Sequence, residues 1–289
     1  MSALLQAWLV AWLFALGVSL GAMANLMVLA LTSRTWAAPA IPAWIAAVRV
    51  LPWVALGFIP VAAGHAAIYP WAAQPTAWLN PIGFVVRGVA YLVAWIVLSR
   101  GFLRAFESGS PRASAWAAGG LIVYAVTMSL ASVDWIASLM PGWASSGFGL
   151  VVATGQMLAA AAYAVARSGL TIPVPADAVA RRGFHDLGNL LLMYVLTWAY
   201  LAYTQFLVIW SEDLPREISW YLPRLHSGWS AVALAIVVLH FALPFVILLS
   251  RRAKRAPRFL GAVAAVLLAA NLLQTAWLVV PSIAGAVHG

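Results

Sequence analysis

Long apolar runs separated by short polar turns repeat along the whole chain. A membrane-crossing helix needs about 20 apolar residues. Eight runs have that character: Leu4–Leu31, Ile41–Ala63, Pro81–Phe102, Ala115–Leu139, Gly147–Ala166, Leu187–Ile209, Ser230–Leu249 and Leu260–Val280. Pro, Gly, Ser and most of the charge collect in the turns between them. The pattern predicts an all-α polytopic membrane protein, a single integral membrane domain of eight transmembrane helices arranged as two four-helix bundles. No stretch leaves room for a soluble domain. The first run is longer than the roughly 7–15 residues of a signal-peptide core, and no positive residue precedes it. It therefore reads as a helix that is kept, although Ala22-Met-Ala24 resembles a cleavage site.

Composition agrees. Of 289 residues, 65% are hydrophobic and 8% charged, against about 25% charged in soluble domains. There is no cysteine, which excludes disulfides and cysteine-ligated iron–sulfur clusters. The net charge of +9 does not point to a nucleic-acid partner, because the basic residues sit mostly in turns. The loops after the first, third, fifth and seventh runs hold Arg34; Arg100, Arg104 and Arg112; Arg167, Arg181 and Arg182; and Arg251, Arg252, Lys254, Arg255 and Arg258. The opposite loops hold Arg216 and Arg224 alone. Positive loops stay cytoplasmic, so both termini are expected outside, in the periplasm if the membrane is a bacterial inner membrane.

Asp134 lies near the end of the fourth run, with Trp135 beside it and Pro141-Gly142 breaking the helix soon after. A carboxylate at that depth is costly and marks a candidate functional site. Tyr124, Thr127, Ala131, Asp134 and Ser138 recur at helical spacing and share a face. That face can carry a proton; alternatively the hydroxyls bond their own helix and Asp134 pairs statically with an arginine. Arg87 is the candidate partner, about 9 Å inside the outer edge of its helix against about 7 Å for Asp134.

The sixth run carries a second polar stripe. Asp186 sits at its cytoplasmic mouth, followed by Asn189, Met193, Thr197, Tyr200 and Thr204. It reads as a proton path or as interhelical hydrogen bonding. His240 falls near mid-membrane, and Pro244 cannot bond its carbonyl. A kink with a free carbonyl beside an imidazole suits a water or proton site; a hydrogen-bonded structural histidine is the alternative. Arg49 is expected to snorkel to the cytoplasmic face. The outer loop 211–226 reads as a partner contact or a solvated connection.

Several chemistries are disfavoured. Intramembrane b-type haem pairs need four axial histidines, and only His240 lies well inside a run. No Walker-type loop, paired-cysteine site or nucleophile elbow is present, so no metal site is expected here and redox chemistry on a metal is assigned to other subunits.

Certain segments carry a family resemblance: Tyr69-Pro-Trp71, Leu79-Asn80 with Arg87 and Trp95, Tyr124 to Leu130 through Asp134-Trp135, and Trp143 to Gly149. Further on come Trp198-Ala-Tyr200, Gln205 to Trp210, Leu214-Pro215, Trp220-Tyr221, Arg224, His240 to Phe245 and Ser250-Arg-Arg252. Together they span most of residues 65–281. They resemble the NrfD-like (polysulfide-reductase-type) membrane subunits of bacterial alternative complex III, in particular the second, ActF-type, quinone-binding subunit. Members of that family continue through at least one further helix.

The resemblance implies assembly with a second NrfD-like membrane subunit, an iron–sulfur subunit and c-type cytochrome subunits, with a terminal oxidase as a further partner and lipids around them. Haems and iron–sulfur clusters are then expected only in those partners, with quinol or quinone as the associated small molecule. On this reading Asp134 is the proton acceptor or relay, and Arg87 and His240 are the other groups placed in the chemistry. Tyr124, Thr127 and Ser138 continue the path, and Trp135, Trp143 and Phe148 line the quinone slot. Two alternatives stand beside it. One is an ion- or proton-coupled transporter of two four-helix halves, although the sequence has no clear self-similarity between halves. The other is a scaffold subunit without a site.

Overall fold

A computed structural model of the chain describes residues 3–32, 36–171, 178–225 and 227–285. Arg34 and His226 lie outside the described residues. All regular structure among the described residues is helical, and eight helices are long and apolar enough to cross a membrane. They are α1 (Ala3–Leu31), α2 (Ile41–Ala63), α3 (Pro81–Glu107), α4 (Arg112–Trp135), α5 (Phe148–Thr171), α6 (Ala178–Glu212), α7 (Trp229–Leu249) and α8 (Pro257–Gly285). The protein is an all-α polytopic membrane protein. Most of its helices outrun their apolar stretches. Backbone hydrogen bonding continues past the last apolar residue, and long charged side chains at the ends reach outward. Arg49, for example, is exposed and bonds Glu107 of α3 at 2.7 Å.

Proline shapes two of the spans. α2 is interrupted at Val50 and Gly57 into three shorter helices, two of them with proline as their second residue. The indoles of α1 cap carbonyls exposed there: Trp12 Nε1 donates to Val54 O and Trp8 Nε1 to Gly57 O, each at 2.9 Å. In α7, residues Val237–Ala242 form a π-helical segment just before Pro244. A residue inserted into the helical ladder at this point accommodates the missing proline N–H.

The helices pack as two four-membered groups with α1 and α5 back to back at the centre. In the first group α1 touches α2 and α4, and α3 touches α2 and α4. In the second α5 touches α6 and α8, and α7 touches α6 and α8. The halves thus share one packing order, a relationship hidden at the level of residues. The central contact depends on Gly21. A Cβ built there would lie 2.0 Å from the Gln156 carbonyl oxygen, so only hydrogen allows the backbones to come so close. Side-chain amides then tie the groups together: Asn25 Nδ2 donates to Met157 O at 2.9 Å, and Tyr194 Oη to Asn25 Oδ1 at 2.6 Å.

The outward faces are apolar, with Trp53, Ile59, Ile82, Ile122, Leu234 and Val246 all exposed. In water such a surface would collapse; in hydrocarbon it costs nothing. The end of the molecule bearing Arg251–Arg255 is called the basic end below.

Candidate functional site

At the end opposite the basic end, Asn80 starts α3. Its Oδ1 accepts from Gly83 N at 2.7 Å, and Pro81 takes the first helical position. This fixes Arg87 and, one turn on, Tyr91 on the α3 face toward α4. α4 stops as Ile136 leaves helical geometry, and a short 3₁₀ turn, Ala137–Leu139, follows. Asp134 is left in the last turn with no exposed surface.

Four donors converge on its carboxylate. Arg87 Nε and Tyr91 Oη donate to Oδ2 at 2.9 and 3.0 Å, and Arg87 Nη2 and Trp78 Nε1 donate to Oδ1 at 2.8 and 2.9 Å. The guanidinium also lies over the Trp78 ring, 4.2 Å from its centre. A bidentate arginine bond of this kind fixes geometry as well as charge. The Arg87 side chain keeps 19% of its surface exposed and is the polar edge of the cluster. The expected Arg87–Asp134 contact is therefore present. Tyr91 and Trp78 complete the cluster, beyond what the residue pattern implies. Tyr91 stands four residues after Arg87, a spacing that signals a shared face, whereas Trp78 comes from a loop and carries no such signal.

The hydroxyls expected to extend the path from Asp134 are each engaged elsewhere. Tyr124 donates to Gln156 Oε1 at 2.8 Å; Thr127 donates to Val123 O at 2.6 Å and accepts from Trp95 Nε1 at 2.8 Å. Ser138 donates to the Asp134 carbonyl at 2.6 Å rather than to its carboxylate. The shared face is real, but its members form separate contacts.

The three aromatics expected in one slot fall into two clusters. Trp135 is fully buried in the first bundle against Trp12, Trp95 and Tyr91, with ring centres 4.9 to 6.0 Å away. Trp143 stacks on Trp220 at 4.1 Å and meets Phe148 edge-on at 5.2 Å, at the second bundle. Sequence adjacency to Asp134 misled here, because the turn after α4 carries the chain from one bundle to the other.

The α6 stripe is also corrected. Asn189, Met193, Thr197 and Tyr200 are exposed and Thr204 is half-buried, while Leu187, Leu191, Tyr194, Val195 and Trp198 form the buried face. Helical spacing identifies a common face but not its direction; the face that turned inward is the one whose Tyr194 bonds Asn25 of α1 and whose Trp198 meets His240 of α7. Asp186 pairs with His185 at 3.5 Å, and Asn189 Oδ1 accepts from the buried Lys254 at 2.7 Å. Thr197 donates to its own helix at Met193 O. His240 is fully buried in the π segment, edge-on to Trp198 with ring centres 4.3 Å apart. Neither of its ring nitrogens has a hydrogen-bond partner among the described residues.

Arg224, in a loop expected to be solvated or partner-binding, is instead fully buried. Its Nε donates to Trp277 O at 3.2 Å, and Nη2 donates to Leu278 O at 2.8 Å and Ser282 Oγ at 2.6 Å. Nη1 donates to Trp220 O, and the guanidinium lies 3.5 Å from the centre of the Trp220 ring. The Trp277 carbonyl is the one that Pro281, four residues on, cannot bond. Arg224 satisfies it. Burial lowers the pKa of this arginine, and the carbonyls and ring face compensate the charge.

The chain matches no protein-family model and no curated protein.

Proposed function

We propose that this protein is a membrane subunit of a quinol:cytochrome c oxidoreductase of the alternative complex III kind, an NrfD-like chain of the ActF type without a redox centre of its own. The observation that carries the reading is the Asp134 cluster. Asp134 is the one fully buried acid among the described residues, held by four donors at the end opposite the basic end. The basic loops support a cytoplasmic position for the other end. Asp134 then faces the outer side, which is the periplasm of a bacterial inner membrane, and both termini lie there. Oxidation of a quinol at that side releases protons as well as electrons. Asp134 takes up the proton, Tyr91 is its inward hydrogen-bonded neighbour, and the exposed edge of Arg87 leads outward. The electrons pass to the iron–sulfur and c-type cytochrome subunits and on toward a terminal oxidase. A second NrfD-like subunit and lipids cover the apolar outer faces.

The test uses the assembled complex. Asp134→Asn preserves shape but cannot take a proton, and Asp134→Glu restores the chemistry one methylene away. The Asn variant is expected to lose about 10²–10⁴-fold in quinol turnover and proton release, as for a general acid–base group, and the Glu variant to recover part. An assembled Asn variant that turns over at the parent rate would leave a scaffold role for this cluster.

The shared packing order of the two halves favours a second reading, a transporter built from two four-helix units. Purification in mild detergent separates the two. Haem-bearing partners accompany an oxidoreductase subunit, and a lone oligomer marks a transporter.

A further inference from the structure

The outward face of α6 differs in chemistry from its counterpart on α3. Met193, Leu196, Tyr200, Tyr203, Leu207 and Trp210 follow one another at steps of 3, 4, 3, 4 and 3, and all are exposed. Such spacing makes one narrow seam along a helix. On α3 a seam of similar spacing, Ile82, Val86, Val89, Val93 and Val97, is exposed too. Its side chains are all aliphatic, and lipid tails suit them. The α6 seam carries two phenols, with 68% of Tyr200 and 62% of Tyr203 exposed, and Thr197 and Thr204 flank them.

Depth makes this difference matter. At 1.5 Å per residue, Tyr200 lies about 18 Å and Tyr203 about 14 Å along α6 from its end at Glu212. A hydrocarbon core is about 30 Å thick, so both rings start near its middle. Side chains on a helix lean toward its N-terminus, which takes these two further from the outer interface. Neither hydroxyl has a hydrogen-bond partner among the described residues. Thr197, by contrast, satisfies its hydroxyl on Met193 O at 2.8 Å. An unbonded hydroxyl in an apolar medium is costly, and polar groups at membrane depth normally face protein. Acyl chains offer no acceptor, whereas a second helix does. Beside the seam, a recess of about 730 Å³ between α6, α7 and α8, bordered by Tyr200 and Tyr203, gives side chains of such a helix room to enter.

We infer that this α6 face is an intramembrane docking surface for one transmembrane helix of a different polypeptide, a helix with small residues along its facing side. The seam specifies that chemistry. All six of its side chains are large, so a second copy meeting it seam to seam would hold the two backbones apart. A helix with Gly, Ala or Ser in the facing positions lets the rings lie against it, and the Tyr200 and Tyr203 hydroxyls then reach its carbonyl or hydroxyl oxygens. The spacing suits a left-handed crossing of about +20°. The inference concerns which face is covered and is independent of the role of Asp134.

The experiment uses the full chain in its native membrane, with photoreactive benzoylphenylalanine in place of Leu196, of Leu207 or, as a control at the depth of Tyr200, of Val93 on α3. At Leu196 and Leu207, adducts with a distinct polypeptide are expected, mapped to an apolar segment of about 20 residues whose facing side is Gly, Ala or Ser. Val93 should give lipid adducts. Tyr200→Phe combined with Tyr203→Phe keeps the rings and removes the hydroxyls. That pair should weaken the association about eightfold, read from adduct yield at Leu196 across a lipid-dilution series, as for two interhelical hydrogen bonds of ordinary strength. Melting of the purified chain should not change, because the hydroxyls bond nothing within it. Lipid adducts alone at all three positions would overturn the docking surface. So would adducts with a second copy of this chain, or an association that the Phe pair leaves intact.

Discussion

Arg87 and Asp134, 47 positions apart, are joined by two nearly parallel hydrogen bonds of 2.9 and 2.8 Å that fasten α3 to α4 near one end of the first bundle. Removing one member of a buried pair strands the other, at a cost of about 3–5 kcal/mol. Arg87→Ala should therefore destabilise the protein strongly when Asp134 is present and little once Asp134→Ala has been made. Thermal or denaturant unfolding of the four proteins in detergent measures the coupling. Strictly additive losses would reject an energetic contact.

A similar argument applies to Arg224, whose partners are carbonyls and a hydroxyl in place of a carboxylate. Lysine carries the same charge but lacks the planar fork. It cannot reach Trp277 O, Leu278 O and Ser282 Oγ together. Arg224→Lys should lower stability by about 1–3 kcal/mol for each buried acceptor left unsatisfied. Replacing Pro281 with Ala in the Lys variant should recover part of the loss, since an alanine N–H bonds the Trp277 carbonyl from within the helix. If the alanine rescues nothing, the link between Arg224 and the proline-freed carbonyl is wrong.

Gly21 sets the distance between α1 and α5. Gly21→Val places methyl groups where the Gln156 carbonyl lies, and the helices must separate. Overpacking of this kind typically costs about 1–3 kcal/mol. A further consequence is strain on the neighbouring Asn25–Tyr194 bond between α1 and α6, currently 2.6 Å. The variant should melt earlier than Tyr194→Phe, which removes that bond alone. Equal melting of the two would show that the close approach matters less than the polar contact.

Orientation can be read by cysteine labelling, since the chain has no native cysteine. Ala77, in the exposed loop before α3, and Ala256, exposed at the basic end, are suitable positions. An impermeant thiol reagent applied from the periplasmic side should modify Ala77→Cys and spare Ala256→Cys. The opposite pattern would invert the topology and place Asp134 on the cytoplasmic side.

The sequence by itself determined the eight spans, the turns between them and the contrast between a basic and a non-basic end. These are local properties: hydropathy over about 20 residues decides what enters hydrocarbon, whatever the neighbours are. It also determined that Arg87 and Asp134 could meet, because depth along a helix follows from rise per residue. Tertiary structure decided which way each helix turns. Thr197 and Tyr200 form a stripe in the sequence, yet they face outward because Leu191, Tyr194 and Trp198 pack better against α1 and the second bundle. Trp143 is a near neighbour of Trp135 along the chain, yet it stacks on Trp220 across a turn. Arg224 looked like loop charge and is buried on a carbonyl that a proline freed far along the chain. Each of these depends on which helices touch and how closely. In hydrocarbon that is settled by close van der Waals packing, glycine gaps, capped carbonyls and paired polar groups, because the hydrophobic drive that sorts faces in water is absent there.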